Sequence, residues 1–224
     1  SCPGRPCGAL FTRLSGGASQ ETWSFDGVAG GKIWPLILRR APGGERVIPE
    51  GSTSVPLSTE AAAIEASRKE GVAAPRVHYV LKDQDGAGQG YVMERLTGET
   101  IARKILRDAA FDAVRPKLAY QCGEILARIH KVDTAPLKHL LPVVDGPTQL
   151  RAYRDTLDLF DYPHPVFEMA FQWLEPRMAA SKRQTLVHGD FRHGNLLISP
   201  NGVEAALDWE LTHIGDPLED IGWV

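Results

Sequence analysis

The chain changes character at Thr97-Gly98. Ahead of that pair, short apolar stretches alternate with turn residues. Behind it, apolar residues recur at helical spacing. In the first part, residues 11–25 hold Gly16-Gly17 between two short apolar stretches, a hairpin pattern with a flexible tip. The next strand is expected over 33–40. Residues 41–57, rich in Gly, Pro, Ser and Thr, form a loop. Ser58 or Thr59 then caps a helix that runs to about Glu70, where Gly71 stops it. Residues 77–80 and 90–94 form a strand pair joined by the polar turn Asp83-Gln84-Asp85-Gly86.

In the second part, Asp112 is expected to cap a long helix whose Leu118, Cys122, Ile125 and Ile129 line one core-facing side. Further helices are expected over 148–160 and from Pro165 to about Glu175, with Pro176 ending or kinking the latter. Short strands follow at 186–187, 195–199 and 203–208. Ser199-Pro200-Asn201-Gly202 joins the last two as a hairpin. The expected fold is therefore α+β, with a β-rich first part, a mainly helical second part and a small late hairpin.

Composition narrows the function classes. The 224 residues are 43% hydrophobic and 24% charged, ordinary for a globular chain, which excludes a disordered tract, a collagen-like repeat and a coiled coil. A formal charge of −3 leaves no basic face for DNA or RNA, so no nucleic-acid partner is expected. The best apolar run, around Ile33 to Leu38, contains Pro35 and is too short to span a bilayer. Cys2, Cys7 and Cys122 are an odd set that makes no disulfide framework, in keeping with a soluble, cytoplasmic protein.

The chemistry concentrates in Leu186-Val187-His188-Gly189-Asp190-Phe191-Arg192-His193-Gly194-Asn195, followed by Leu207-Asp208-Trp209-Glu210. Asp190 lies in a tight loop after a strand. Asn195 begins the hairpin and Asp208 ends it, so the turn brings those two together with Asp190 facing them. Two oxygen ligands and a further carboxylate meet the needs of Mg²⁺-dependent phosphoryl transfer. The carboxylate orients the attacking hydroxyl and accepts its proton.

That segment resembles the catalytic core of the aminoglycoside phosphotransferase family, relatives of the protein kinases, whose signature is H-G-D-x-x-x-x-N followed by a D-x-[ED] metal site. Within it the chain is most similar to the kinase-like domains fused to acyl-CoA dehydrogenases, which carry comparable runs through Gly215-Asp216-Pro217 and Asp220. The resemblance implies a two-lobed kinase-like fold, with residues 1–95 as the N-lobe and 96–224 as a C-lobe incomplete at its end. It implies Asp190 as catalytic base and Asn195 and Asp208 as Mg²⁺ ligands. Arg192 takes the place of a catalytic-loop lysine that touches the γ-phosphate, although a solvated loop arginine is an equal reading. His188 and Asp220 brace the loop.

In the front half, Ser15, Gly16, Gly17, Ala18 and Ser19 resemble the loop that covers the nucleotide, where glycines let backbone amides approach phosphates. Arg39, or failing it Arg40, matches the basic residue over the α- and β-phosphates, with Glu60 as its ion-pair partner. Met93, Glu94 and Leu96 fall in the stretch resembling the adenine-binding hinge, with Met93 guarding the pocket. The implied reaction moves the γ-phosphate of ATP, or GTP, to a hydroxyl of a small-molecule acceptor.

Two other readings stay open. His188, Asp190, His193 and Asp208 are residue types that also build a metallohydrolase site, although no HExxH helix accompanies them. A pseudokinase that binds nucleotide without transferring phosphate is the non-enzyme reading, favoured by arginine where kinases carry lysine. The acceptor is not specified by the sequence. Asp155, Asp158, Asp161, Glu168 and Glu175 are interspersed with Arg151, Arg154, Arg177, Lys182 and Arg183, which does not mark a pocket for a cationic antibiotic.

Overall fold

The computed structural model describes residues 11–14, 20–44, 54–160, 162–178 and 181–223. The first part is a five-stranded antiparallel sheet of β1 (Thr12–Arg13), β2 (Glu21–Ala29), β3 (Lys32–Arg40), β4 (Val77–Val80) and β5 (Gly90–Glu94), in the order β1-β2-β3-β5-β4. β2 runs four residues past the expected hairpin arm and turns at Gly30-Gly31, whose φ angles of 57° and 75° suit the two-residue turn that joins tightly twisted strands. That turn is a second hairpin signal the sequence reading passed over. The tip at Gly16-Gly17 lies outside the described residues.

The helix α1 (Leu57–Lys69) packs across the sheet through Leu57, Ala61, Ala63 and Ile64. Its alanines keep the contact face low, so helix and sheet approach closely. The expected serine or threonine cap is corrected here. Pro56 stands at the cap position with an extended backbone, no side chain caps the helix, and Thr59 is buried. Gly71 does end it, at φ 78°.

Beyond the sheet come α2 (Ala102–Arg107), α3 (Arg115–Ile129), α4 (Gly146–Asp158) and α5 (Pro165–Leu174). Asp112 does not cap α3. It closes a preceding 3₁₀ turn, and its carboxylate pairs with Arg115 in the first turn of the helix. Cys122, Ile125 and Ile129 are buried on α3 as the stripe predicted, with Leu118 partly buried beside them. α4 starts two residues early because Asp145 supplies the cap, accepting the Thr148 N–H at 2.8 Å, and Pro147 fits the first turn. α5 runs into a 3₁₀ turn over Glu175–Arg177, at the proline that ends it.

The remaining strands are two separate antiparallel pairs. β6 (Thr185–Val187) pairs with β9 (His213–Gly215), and β7 (Leu196–Ser199) pairs with β8 (Gly202–Ala206). β8 ends two residues short of the expected Asp208, which has the left-handed φ of 63°. α6 (Leu218–Ile221) follows β9. One apolar core runs through both parts, from Ile37, Ile64 and Tyr91 to Leu186, Phe191 and Trp209. Two backbone hydrogen bonds join the parts on either side of α1: Val55 N–H to the Glu210 carbonyl and Ala206 N–H to the Ala73 carbonyl, each 2.8 Å. Among the described residues no helix is long and apolar enough to cross a membrane.

Candidate active site

β6 delivers the chain to a loop that Asp220 of α6 holds from behind. The buried Asp220 carboxylate accepts the backbone N–H groups of His188 and Gly189, both at 3.0 Å, and Nε2 of His130, which caps the C-terminus of α3, lies 2.9 Å from it. Burial works against that charge, but His130 and the two amides outweigh it and hold the carboxyl below the usual aspartate range. Gly189 is required. Its φ is 84°, and a Cβ there would sit 2.4 Å from the Leu211 carbonyl oxygen.

His188 is buried against Phe191 and Trp209. Its Nδ1 accepts the Asp190 N–H at 3.3 Å, which leaves Nε2–H to donate to the Leu207 carbonyl at 3.1 Å. Burial lowers the imidazole pKa, consistent with this neutral tautomer. With both nitrogens engaged, His188 has no lone pair for a metal, and the four-ligand metallohydrolase grouping does not assemble. Among the described residues no three His, Cys, Asp or Glu side chains are placed to hold a metal ion. Both ring nitrogens of His193 are buried without a hydrogen-bond partner.

Asp190, Asn195 and Asp208 come together as the hairpin geometry requires. Asn195 Nδ2 donates to the Asp190 Oδ2 at 2.6 Å and to its carbonyl at 3.0 Å. Arg192 Nε approaches the same carboxylate at 2.9 and 3.2 Å from an exposed position. Leu207 N–H closes onto the Asn195 carbonyl at 2.8 Å, bringing Asp208 beside Asn195. A cleft of about 530 Å³ between the sheet and this hairpin is lined by Gln20, Arg39, Met93, Arg192, Asn195 and Asp208, among others.

Arg39 is the basic residue in that cleft. Its guanidinium pairs with Asp208, lies 3.4 Å from Glu60 and donates through Nε to Gln20. Arg40, on the opposite side of the strand, pairs with Glu21 at 2.9 Å. Burial opposes the Arg39 charge, but Glu60, Tyr91 and Asp208 outweigh it and raise its pKa. At Glu60 burial dominates and pushes the carboxyl up against the pull of Arg39, while Tyr91 donates its hydroxyl to Glu60 Oε1 at 3.0 Å.

Of the residues expected in the hinge, Met93 is buried in the cleft wall. Glu94 and Leu96 are not among the residues lining the cleft. The Glu94 carboxylate accepts the Arg76 N–H at 2.7 Å and faces Arg68 at 3.5 Å. Ser15 to Ser19 and Asp161 lie outside the described residues. The resemblance counts Gln20 in the nucleotide-covering stretch and Tyr91 in the hinge stretch, but their contacts with Arg39 and Glu60 were not foreseen. The signal for both was positional, since each is a polar group one strand away from a buried charge.

A β-sheet half, a helical half and a charged cleft between them define a kinase-like phosphotransferase scaffold. The chain belongs to the phosphotransferase enzyme family APH, whose model matches residues 11–224. It is 29% identical over 199 residues to acyl-CoA dehydrogenase family member 10 of Mus musculus, a match covering 84% of this chain and 18% of that protein. Among solved structures, a Ralstonia eutropha protein carrying an aminoglycoside phosphotransferase designation superimposes with a TM-score of 0.71 at 22% identity, over 96% of this chain and 62% of that one. The aminoglycoside phosphotransferase APH(4)-Ia, in a ternary complex with ADP and hygromycin B, gives a TM-score of 0.63 at 15% identity, covering 94% of this chain and 70% of that one. The chain spans less than a third of the mouse relative and about two thirds of the solved chains.

Proposed function

We propose that this chain carries the catalytic machinery of a phosphotransferase that moves the γ-phosphate of ATP, or GTP, to a hydroxyl of a small molecule. The observation that carries the reading is the Asn195–Asp190 contact of 2.6 Å beside Asp208 at the mouth of a charged cleft. In this reading Asp190 accepts the proton of the attacking hydroxyl. Asn195 Nδ2 and Arg192 Nε fix the orientation of its carboxylate. Arg39, kept charged by Glu60, is the cation for the nucleotide phosphates. Met93 walls the base pocket.

The donor set fits a magnesium ion. The Asp208 carboxylate and the Asn195 carboxamide oxygen are hard ligands, and the Asn195 nitrogen is committed to Asp190, which leaves its oxygen to offer. The Arg39 guanidinium on Asp208 marks that carboxylate as one that takes a cation. When bound, the ion supplies charge neutralisation on the transferring phosphoryl group.

The likeness to a protein named for acyl-CoA dehydrogenase favours hydroxyacyl compounds as acceptors over aminoglycosides. The test is transfer from γ-labelled ATP to a panel of alcohols, aminoglycosides and hydroxyacyl-CoAs. Asp190→Asn should lower turnover by roughly 10²–10⁴-fold while nucleotide binding persists. Unchanged turnover would end the proposed role. A pseudokinase is the second reading, favoured by the Arg39 hold on Asp208, and nucleotide binding with no transfer to any acceptor would support it.

A further inference from the structure

Arg39 is the residue on which the two halves of the cleft converge, and one of its partners has no role in the phosphotransfer reading. Gln20, just ahead of β2, is buried to 4% exposure although it is a long polar side chain. Its Oε1 accepts Arg39 Nε, and its Nε2 donates to Glu210 Oε2 at 3.2 Å, across 190 residues of sequence. A carboxamide is the side chain that offers an acceptor at one atom and a donor at the next. A carboxylate would meet Glu210 with like charge. An aliphatic chain would leave the buried Nε–H of Arg39 without a partner.

The guanidinium therefore touches three groups: Asp208, Glu60 and Gln20. Only the Asp208 contact is shared with the proposed metal site. Once Asp208 turns to a cation, Glu60 and Gln20 are what keep Arg39 in the cleft at a fixed angle. Glu60 supplies charge, and Gln20 fixes orientation because its hydrogen bond is made to the edge of the planar group.

We propose that Gln20 is a positioning residue for Arg39, tying the sheet to Glu210 so that the guanidinium stays aimed at the nucleotide phosphates after Asp208 is released. The proposal rests on the phosphotransferase reading for its nucleotide consequence, and on the contact geometry alone for the bridge itself.

The experiment is a double-mutant cycle on the whole chain with Gln20→Ala, Arg39→Ala and the double variant, read by Mg·ADP affinity in calorimetry and by urea unfolding. Gln20→Ala should weaken Mg·ADP about tenfold with Arg39 present, the range of one lost hydrogen bond to a charged group. In the Arg39→Ala background the same change should matter less than twofold. Equal weakening in both backgrounds would overturn the positioning role. If the unsubstituted chain binds no Mg·ADP, the phosphotransferase reading falls, and the unfolding cycle then decides the bridge. Non-additive unfolding free energies uphold it and additive ones overturn it.

Discussion

His130 Nε2 stands 2.9 Å from Asp220 Oδ2, and the same carboxylate accepts the backbone of His188 and Gly189. The end of a helix from the middle of the chain and a short helix near residue 220 thus meet at one buried charge behind the loop that carries Asp190. The loop is held from behind by its backbone, while the Asp190 carboxylate is held by Asn195 and Arg192.

Asp220→Asn should lower unfolding free energy by roughly 2–4 kcal/mol in urea titrations, because a neutral carboxamide replaces a charged acceptor of two buried amides. Asp220 titrates below its ordinary value when folded, so its contribution is complete above the ordinary aspartate range and fades as pH falls through the depressed value. The difference between wild type and variant should therefore shrink only in strong acid. A difference that shrinks already at pH 6 would contradict this.

Gly189→Ala tests the turn itself. At φ 84°, with the Leu211 carbonyl oxygen 2.4 Å from where a Cβ would sit, an added methyl group must displace backbone. A loss of about 2 kcal/mol or more is expected, visible as a lowered melting temperature together with reduced turnover.

His213 gives a contrasting pH dependence. Burial opposes its charge, but the hydrogen bond to Glu219 at 3.0 Å and the Leu211 carbonyl outweigh it and raise the imidazole pKa. A raised base stabilises fully below its unfolded value, and that stability is lost as pH rises through the folded value. His213→Gln should therefore cost about 1.5–3 kcal/mol near pH 5.5, the range of a charged hydrogen bond, and distinctly less near pH 9. Equal cost at both would show that the imidazolium contributes nothing.

Asp208→Asn separates fold from charge. Asp208 adopts φ 63°, a conformation that asparagine and glycine tolerate better than alanine. The Asn variant should keep the wild-type melting curve, release Arg39 from its ion pair and lose the metal dependence of nucleotide binding. Asp208→Ala should add about 1 kcal/mol of backbone cost. Magnesium-dependent binding retained in the Asn variant would remove Asp208 from the proposed metal site.

The segregation of strands from helices was legible because it is written in local period and turn residues, and β4, β5 and the late hairpin appear close to where the pattern put them. The convergence of Asn195 and Asp208 was legible too, since a tight hairpin dictates it. Caps were not. Ser58 and Asp112 have the right chemistry for capping, yet Pro56 and the 3₁₀ turn before Arg115 decide where the helices start. The resemblance prefers Arg39 and leaves Arg40 as the fallback, and strand alternation turns Arg39 toward Glu60 and Arg40 toward Glu21. The bridging contacts of Gln20 were invisible because its partners lie 19 and 190 residues away.

The bonds from Val55 to Glu210 and from Ala206 to Ala73 flank α1 at both ends. They tie both ends of that helix to the hairpin exit, while Tyr91 on β5 and Arg39 on β3 hold its Glu60 from the sheet side. Arg39 meets both Glu60 of that helix and Asp208 just past the hairpin, so one guanidinium fastens the sheet at two points to the unit those bonds hold together.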